Sequence, residues 1–512
     1  LPPCYKAAFN RSNSVGYDVY DHFDLGEFRL PGEADGRTKY GNKQELLEAI
    51  QRLHGDGTGK RIQVYADVAL NHKVGGKQDD HYWEAVRVEK GNRNLERWGE
   101  GFESGLIEVM AYTKFDHEDR ADAYSNFKWR IRHFDSVDTI SEIRQGGMVF
   151  HDPGDRYIYR FLANEQGYVP QIKSFESWVS MEKGNYDYLT GCDMDYGRYD
   201  VREEMKYWGE WLADELDLDG VRLDAVKHIS ADYVREWIGH VRWKKNRDFF
   251  AVAEYIAAET GPLHSYIGRV SAFGEYPQQV CLFDFPLRFK FGDAGRQAGA
   301  YDLGQLSNGT LVAEQPALAV TFVENHDYEF GREYQSHVEE WFKPLAYAFI
   351  LLRKDGYPCI FFPDYYGSLD WYEGDRRWHK AQTPGREYLD LLLRLRRQFA
   401  LGEERYYAGR NVAGWVRMGF VPGAKGAMAV VINISPGTVG SVRMNTGRFS
   451  RRFYHLATIK LTDDGFLIVR NRYDLYGDKA EAVWTDSSGW GDFLADGGTA
   501  AVWIEDGVGL IE

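Results

Sequence analysis

Four short motifs constrain the fold of this chain most strongly. Each lies at the end of an apolar run that is typical of a β-strand. They are Asp67-Val-Ala-Leu-Asn-His72, Gly220-Val-Arg-Leu-Asp-Ala-Val-Lys-His228, Ala253-Glu254-Tyr255 and Phe322-Val-Glu-Asn-His-Asp327. Each motif contains a carboxylate, a histidine or both. Parallel strands that bring acids and imidazoles to one level are typical of the active-site face of a (β/α)8 barrel.

From about residue 61 the sequence alternates between strand and helix patterns, which is typical of a parallel sheet. The predicted strands are residues 61–67, 220–224, 249–254, 280–285, 319–323 and 357–362, and the predicted helices are 200–216, 230–245 and 336–353. Six strands are too few to close a barrel at the usual tilt and shear. We therefore expect further sequence upstream of Leu1.

Two regions depart from this alternation. Residues 73–197 are polar, rich in Asp, Gly and Tyr, and too long for a simple loop, which predicts an inserted β-rich domain after strand 3. Residues 401–512 show short strands and turns that predict a C-terminal antiparallel β-sandwich. The predicted fold class is α/β, a (β/α)8 TIM barrel formed by residues 1–72 and 198–400.

Bulk properties exclude several classes of partner. The net charge of −16 argues against a nucleic-acid partner, which would require a basic surface. No run of about 18 apolar residues is present to span a membrane. Four cysteines without a CxxC pair are too few for a disulfide framework, and one or two bridges or free thiols both remain open. We expect a monomer.

The carboxylates of the motifs are the candidate catalytic groups. Adjacent strands can place Asp224 and Glu254 about 5 Å apart, the separation that a retaining glycosidase requires between nucleophile and acid/base. Arg222 precedes Asp224 by two residues, on the same face of the strand, and should keep that carboxylate ionised. The apolar run before Glu254 should favour its protonated form. Any one acid could instead cap a helix or pair with a lysine, but three acids with His72, His228 and His326 favour an active site.

The four motifs resemble the conserved sequence regions of the α-amylase family, glycoside hydrolase family 13, in their usual order. The stretches beginning at Val15, Arg37, Gly184 and Gly489 are similar to the liquefying-type bacterial members. The resemblance implies that Asp224 is the nucleophile, Glu254 the acid/base and Asp327 the third carboxylate. It also implies substrate-binding residues: Tyr17, His72, Arg222 and His326 around the attacked glucose, and Lys227 and His228 on the leaving-group side.

A calcium site follows from the same resemblance. Its implied ligands are Asn71, Asp187, Asp193 and the backbone carbonyl of His228, and these oxygen donors suit Ca²⁺. Asp138 and Asp195 match positions that hold additional cations in the liquefying enzymes. Glu176 and Gly197 stand where the family usually has Asp, which argues against a cluster of several metals. The segment Tyr407–Val412 lacks the family's His-His-Asp stretch, so no calcium is predicted near the C-terminal domain.

The predicted function is endo-acting hydrolysis of α-1,4-glucosidic bonds in starch, glycogen and maltooligosaccharides, with retention of configuration. Two alternatives remain. One is a maltooligosaccharide-forming hydrolase or transglycosylase of the same family, and the other is a non-catalytic carbohydrate-binding protein. Three intact carboxylates argue against the second. The resemblance places the family's first strand and helix, and most of its second strand, before Leu1. Secretion is expected because starch is a polymer, although the family has intracellular members.

Overall fold

The protein is described by a computed structural model that covers residues 1–8, 14–30, 32–55, 57, 59–97, 106–151, 156–163, 171–272, 279–329, 336–368, 372–373, 376–377, 383–419, 426–470 and 481–507. The chain divides into two compact units. The first comprises Leu1–Ile256 and Gly261–Leu282, and the second comprises Ala257–Thr260 and Phe283–Glu512.

The α-helices of the described residues follow the parallel strands and also precede the first of them. They are α1 (Lys43–His54), α2 (Tyr199–Glu215), α3 (Ala231–Lys244), α4 (Thr260–Ala272), α5 (Phe285–Gln297), α6 (Leu311–Glu314), α7 (Lys343–Leu352), α8 (Phe362–Tyr366) and α9 (Arg386–Gln398). Local chemistry explains their starts. Asn42 and Glu45 form a reciprocal capping box at α1, and Asp284 caps α5 ahead of Pro286.

Parallel strands alternate with these helices. They are β1 (Tyr65–Val68), β2 (Gly220–Leu223), β3 (Phe250–Ala253), β4 (Cys281–Phe283), β5 (Ala319–Phe322) and β6 (Tyr357–Cys359). All six predicted strands and all three predicted helices are therefore present. In the first unit, β2 pairs with both β1 and β3, and β3 pairs with β4. In the second unit, β5 pairs with β6.

The register of β1, β2 and β3 positions the candidate catalytic residues. Leu223 lies opposite both Val68 and Ala253, so the three strands end at one level. Gly220 permits this close pairing, because a Cβ there would lie 2.5 Å from the carbonyl oxygen of Phe250. The residues that follow the three strands consequently emerge side by side.

An antiparallel sheet lies between residues 72 and 194 of the first unit. Its strands are His72–Lys73, Trp83–Glu89, Asn92–Arg97, Ile107–Ala111, Phe134–Val137, Ile140–Gln145, Met148–Phe150, Tyr157–Ala163, Gln171–Ile172 and Cys192–Met194. Cys192–Met194 pairs with both Phe134–Val137 and His72–Lys73. Acids from distant parts of the sequence therefore meet at one edge of this sheet. A short antiparallel pair, Lys6–Ala7 with Val19–Asp21, precedes it.

Antiparallel strands also dominate the end of the second unit. One sheet contains Glu404–Ala408, Val412–Arg417, Met428–Asn433, Arg452–Thr462, Gly465–Arg470, Ala482–Trp484 and Thr499–Glu505, and a second pairs Gly440–Asn445 with Trp490–Ala495. Two further strands, Tyr372–Glu373 and Arg376–Arg377, pair with each other. Phe453 and Trp503 of the first sheet pack with Phe493 and Met444 of the second in one apolar core.

The structure thus has the elements of the predicted fold class, whereas the predicted domain boundaries remain predictions. All four cysteines are free thiols. Among the described residues, no helix combines the length and apolar character needed to cross a bilayer.

Candidate active site

Arg222 is the centre of the candidate active site, because its guanidinium contacts three carboxylates. Its Nη1 lies 2.6 Å from Oδ1 of Asp224 and 2.7 Å from Oδ1 of Asp67, and its Nη2 lies 3.0 Å from Oε2 of Glu254. All four side chains are largely buried. One positive charge therefore faces three acids in a space from which most water is excluded.

The two candidate catalytic carboxylates lie next to each other because β2 and β3 end in register. The backbone N–H of Glu254 donates to the carbonyl of Leu223, and the N–H of Val226 donates to the carbonyl of Glu254. Oε2 of Glu254 also accepts a hydrogen bond from the N–H of Ala225 at 3.2 Å. Oε1 is buried and has no hydrogen-bond partner among the residues that the structure describes. This oxygen of Glu254 can accept a hydrogen bond from a further group.

Burial raises the pKa of Asp224 well above its ordinary value. The positive charge of Arg222 opposes this shift, while the negative charges of Glu254 and Asp67 add to it. The expectation from the sequence is that Arg222 keeps Asp224 ionised, whereas burial and the two neighbouring acids outweigh the effect of its charge on this pKa. Protonation of Asp224 is therefore coupled to the charges of the neighbouring carboxylates.

Tyr17 and His72 lie beside this cluster. The Tyr17 hydroxyl donates to Oδ2 of Asp67 at 2.6 Å, and Nε2 of His72 lies 2.9 Å from the Tyr17 carbonyl. Burial lowers the pKa of His72 to about 4, so this imidazole is neutral near neutral pH. A neutral ring can donate or accept a hydrogen bond without adding charge.

Lys227 and His228 follow β2 on a short 3-10 turn (Val226–His228). Nζ of Lys227 lies 3.0 Å from Oε1 of Glu182 and 3.4 Å from the carbonyl of Ile256. Nδ1 of His228 lies 2.6 Å from the carbonyl of Tyr186. Burial lowers the pKa of His228 to about 3. Both side chains therefore contact the segment between residues 180 and 187.

His326 and Asp327 belong to the second unit, in the turn after β5. Nε2 of His326 lies 3.5 Å from Oδ1 of Asp327, and both side chains are partly exposed. The side chain of Asn325 accepts hydrogen bonds from the N–H groups of Asp327 and Tyr328, which fixes the turn. The roles of His326 and Asp327 remain predictions.

A buried group of three acids lies at the edge of the antiparallel sheet in the first unit. Asp135, Asp187 and Asp193 each offer an oxygen within 4.8 Å of the others. Oδ2 of Asp135 is buried, and no described residue donates a hydrogen bond to it. Burial raises the pKa of Asp135 to about 7 and the pKa values of Asp187 and Asp193 well above their ordinary values. Burial and mutual repulsion among the acids therefore outweigh the positive charges of Lys173 and Arg93, which act on Asp135 and Asp193.

The other predicted metal ligands have varied surroundings. The amide of Asn71 donates to Oδ1 of Asp193 at 3.2 Å. Asp138 lies 3.1 Å from Nζ of Lys90, and Asp195 lies 2.7 Å from Nζ of Lys173. Asn71 therefore lies beside the three acids, while Asp138 and Asp195 each pair with a lysine.

Glu176, which stands where the family usually has Asp, accepts backbone N–H groups with both oxygens. The donors are Tyr196 at 2.9 Å and Ser230 at 3.0 Å. These bonds join the inserted segment to the chain after β2. Gly197 offers no side-chain ligand. The absence of a multi-metal cluster remains a prediction.

Sequence reasoning missed two residues of these sites. Asp67 contacts both Tyr17 and Arg222, and it lies opposite Arg222 across the β1–β2 pair. Strand alternation could have indicated this position, since facing residues on adjacent strands share a side of the sheet. Asp135 lies on Phe134–Val137, and only the pairing with Cys192–Met194 brings it to Asp193.

Comparison with known proteins adds an independent observation. The chain is 38% identical to an α-amylase from Geobacillus stearothermophilus over 98% of its own length and 80% of the relative. It is 35% identical to a glucan 1,4-α-maltohexaosidase from a Bacillus species, over 98% of this chain and 85% of that protein. It is also 36% identical to a cytoplasmic α-amylase from Escherichia coli, over 98% and 91% of the two chains. No family model matches the chain.

A solved structure gives the same fold. The crystal structure of an α-amylase from Geobacillus thermoleovorans, complexed with acarbose, aligns with a TM-score of 0.57 at 16% identity, covering 98% of this chain and 87% of that one. The fold class is thus the predicted (β/α)8 barrel with an inserted β-rich domain and a C-terminal β-sandwich. Fold and carboxylates together define a barrel glycoside hydrolase. With relatives this similar over nearly its whole length, the chain belongs to the α-amylase family.

Proposed function

We propose that this enzyme hydrolyses internal α-1,4-glucosidic bonds of starch, glycogen and maltooligosaccharides with retention of configuration. The observation that carries the proposal is the contact of one guanidinium, that of Arg222, with both Asp224 and Glu254 at the ends of adjacent strands. Relatives named α-amylase at 36–38% identity support the substrate class.

In the first step, an ionised oxygen of Asp224 attacks the anomeric carbon. Glu254 gives its proton to the glycosidic oxygen as the bond between that oxygen and the carbon breaks. The products of this step are a free sugar with a new hydroxyl group and a β-glucosyl ester on Asp224. Arg222 orients both carboxylates and offsets part of their charge.

In the second step, water attacks the anomeric carbon of the ester. Glu254, now ionised, takes a proton from this water, and Asp224 leaves as a carboxylate. Two inversions at the same carbon restore the α configuration. If a sugar hydroxyl replaces water, the same step becomes transglycosylation.

The family motifs assign the substrate contacts. Tyr17, His72, Arg222 and His326 would surround the attacked glucose, and Lys227 and His228 would face the leaving group. Asp327 would act as the third carboxylate, binding hydroxyl groups of the distorted sugar. The neutral form of His72 supports its proposed role as a contact of the attacked glucose. A neutral imidazole binds a hydroxyl group without repelling a developing oxocarbenium ion.

A calcium ion fits the acidic group of the first unit. Asp135, Asp187 and Asp193 supply carboxylate oxygens, and Asn71 and the carbonyl of His228 are the further candidates. A cation there is supported by the raised pKa values of the three acids and by the buried Oδ2 of Asp135, which accepts no hydrogen bond within the described part of the chain. When bound, calcium would supply charge neutralisation and hold these segments together. Asp138 and Asp195 remain proposed contacts of additional cations.

Secretion remains the proposed location, and a monomer the proposed state, with starch or a maltooligosaccharide as the partner. A cytoplasmic relative makes the cytoplasm the alternative location. Activity measured in the culture medium and in cell extract of the source organism distinguishes the two.

Azide rescue tests the two catalytic roles separately. With α-maltotriosyl fluoride as substrate, we expect Asp224→Gly to be inactive until azide attacks in place of the missing carboxylate and releases β-maltotriosyl azide. Glu254→Ala should still form the ester with this substrate, and azide should then release the α-azide. Asp219→Asn, at the opposite end of β2, should retain activity. Asp224→Asn activity on starch within a few-fold of the parent enzyme would contradict the assignment.

A second candidate function is the release of maltooligosaccharides of defined length, or transglycosylation. The relative named glucan 1,4-α-maltohexaosidase favours the first of these. Chromatography of products from soluble starch over time distinguishes them. A broad early distribution of oligosaccharides supports endo-hydrolysis, one dominant early length supports the specialised hydrolase, and products longer than a defined donor support transfer.

A further inference from the structure

Trp178 is an exposed indole held in a strained backbone conformation. The residue is 59% exposed, and its φ is 65°. Positive φ is unfavourable for a bulky side chain, because Cβ crowds the neighbouring carbonyl. Such strain persists only where surrounding contacts impose it, and it clusters at ligand-binding positions.

Several contacts hold this indole in place. The guanidinium carbon of Arg269, on α4, lies 3.8 Å from the centre of the ring. Arg269 in turn pairs with Asp232, on α3. The carbonyl of Trp178 accepts the N–H of Ala231 at the start of α3. The ring is therefore pre-oriented, although more than half of its residue surface remains accessible to a ligand.

The segment that carries Trp178 is hydrogen-bonded to the chain that follows both catalytic strands. The N–H of Ser180 donates to the carbonyl of Lys227, and Lys227 also contacts Glu182 and the carbonyl of Ile256. Lys227 follows Asp224 by three residues, and Ile256 follows Glu254 by two. Trp178 is two residues from Ser180, and its carbonyl accepts the N–H of Ala231, three residues after His228. These bonds place Trp178 near the residues proposed for the leaving-group side.

We propose that Trp178 is a stacking platform for a glucosyl unit on the leaving-group side of the cleaved bond. The apolar face of a pyranose ring packs well on an indole, and a pre-oriented ring loses little entropy when the sugar binds. Arg269 and Asp232 act as positioning residues beneath it. This inference rests on the proposed function, since it assigns a substrate contact of that reaction.

Trp243 provides the contrast. It is 75% exposed near the C-terminal end of α3, with the ammonium of Lys244 4.8 Å from its ring centre. Unlike Trp178, it lies within a regular helix, about 18 Å along α3 from the helix start near Trp178. It therefore serves as a matched control for an exposed tryptophan.

The test compares two substrates that differ in the leaving group. Maltoheptaose carries glucosyl units on both sides of the cleaved bond, whereas α-maltotriosyl fluoride has only fluoride to leave. We expect Trp178→Ala to lower kcat/KM for maltoheptaose about 5- to 10-fold, the range for one aromatic contact. The same variant should change kcat/KM for α-maltotriosyl fluoride by less than about 2-fold. Trp178→Phe should restore most of the loss, and Trp243→Ala should leave both substrates unchanged.

The outcomes separate this inference from the proposed function. Equal losses on both substrates would assign Trp178 a purely structural role and overturn the inference. An unchanged kcat/KM for maltoheptaose would also overturn it. If the parent enzyme fails to cleave maltoheptaose at all, the proposed function fails instead.

Discussion

At the residue scale, the charge around Arg222 controls the proposed chemistry. Asp67 takes part in this balance although it is not one of the reacting carboxylates. It accepts the Tyr17 hydroxyl with one oxygen and faces Arg222 with the other. Its negative charge also contributes to the raised pKa of Asp224. Asp67 should therefore determine the pH at which the nucleophile becomes ionised.

The variant Asp67→Asn tests this electrostatic role. Removing one negative charge stabilises the ionised form of Asp224, so its pKa should fall. The acid limb of the profile of kcat/KM against pH should move down by about 0.5 to 1 unit. Tyr17→Phe removes the hydrogen bond without changing any charge, and its acid limb should stay in place. If the acid limb moved by the same amount in both variants, its position would depend on the geometry of the site rather than on the charge of Asp67.

At the element scale, a buried ion pair lies next to the turn that carries His326 and Asp327. Arg288 on α5 lies 2.6 Å from Oε1 of Glu324, two residues beyond β5, and the two side chains are 1% and 0% exposed. Oε2 of Glu324 accepts the N–H of Val338, and Arg288 also donates to Ser336. The Glu324 carboxylate thus bonds Val338, and its partner Arg288 on α5 bonds Ser336.

Breaking this pair should be costly. Glu324→Gln leaves Arg288 buried with an uncompensated charge, and we expect it to lower the free energy of unfolding by about 3 to 5 kcal/mol. Asp293→Asn removes the exposed partner of Arg296 on the same helix and should cost less than about 1 kcal/mol. Urea unfolding of both variants provides the comparison.

The double variant Arg288→Met/Glu324→Leu removes both charges and should recover much of the loss, because no buried charge remains. Equal stabilities of Glu324→Gln and Asp293→Asn would contradict the assigned importance of the pair. Activity of the variants at a temperature well below unfolding shows whether loss of the ion pair also affects the proposed roles of His326 and Asp327.

Periodicity predicted these elements better than it predicted their contacts. Strand and helix patterns located β1 to β6, and the motif order located Arg222, Asp224 and Glu254. The helix predicted to begin at residue 336 begins at Lys343 instead, where Pro344 favours the first turn. Asp67 and Asp135 were missed because their roles depend on partners far along the chain. Tyr17 is 50 residues from Asp67, and Asp193 is 57 residues from Ser136, its cross-strand neighbour.

At the scale of the whole molecule, stability should depend on calcium and pH together. The buried acids Asp135, Asp187 and Asp193 have pKa values raised by burial, with that of Asp135 at about 7. Without a cation, the folded protein therefore binds protons that the unfolded chain has already released. For Asp135, this contribution to stability is fully present below the unfolded pKa, about 4, and is lost as the pH rises through the folded pKa of about 7.

Differential scanning calorimetry with EDTA and with millimolar calcium tests this linkage. In EDTA, we expect Tm to fall as the pH rises from about 5 to about 8, because the folded protein binds protons on these acids that the unfolded chain has already released. Calcium competes with those protons, so the increase in Tm that it produces should be larger at the higher pH. Asp187→Asn should abolish most of the calcium response. Glu108→Gln, which removes an exposed partner of Arg144 in the same sheet, should leave it intact. A calcium response of equal size at both pH values, or one that survives in Asp187→Asn, would place the stabilising ion elsewhere.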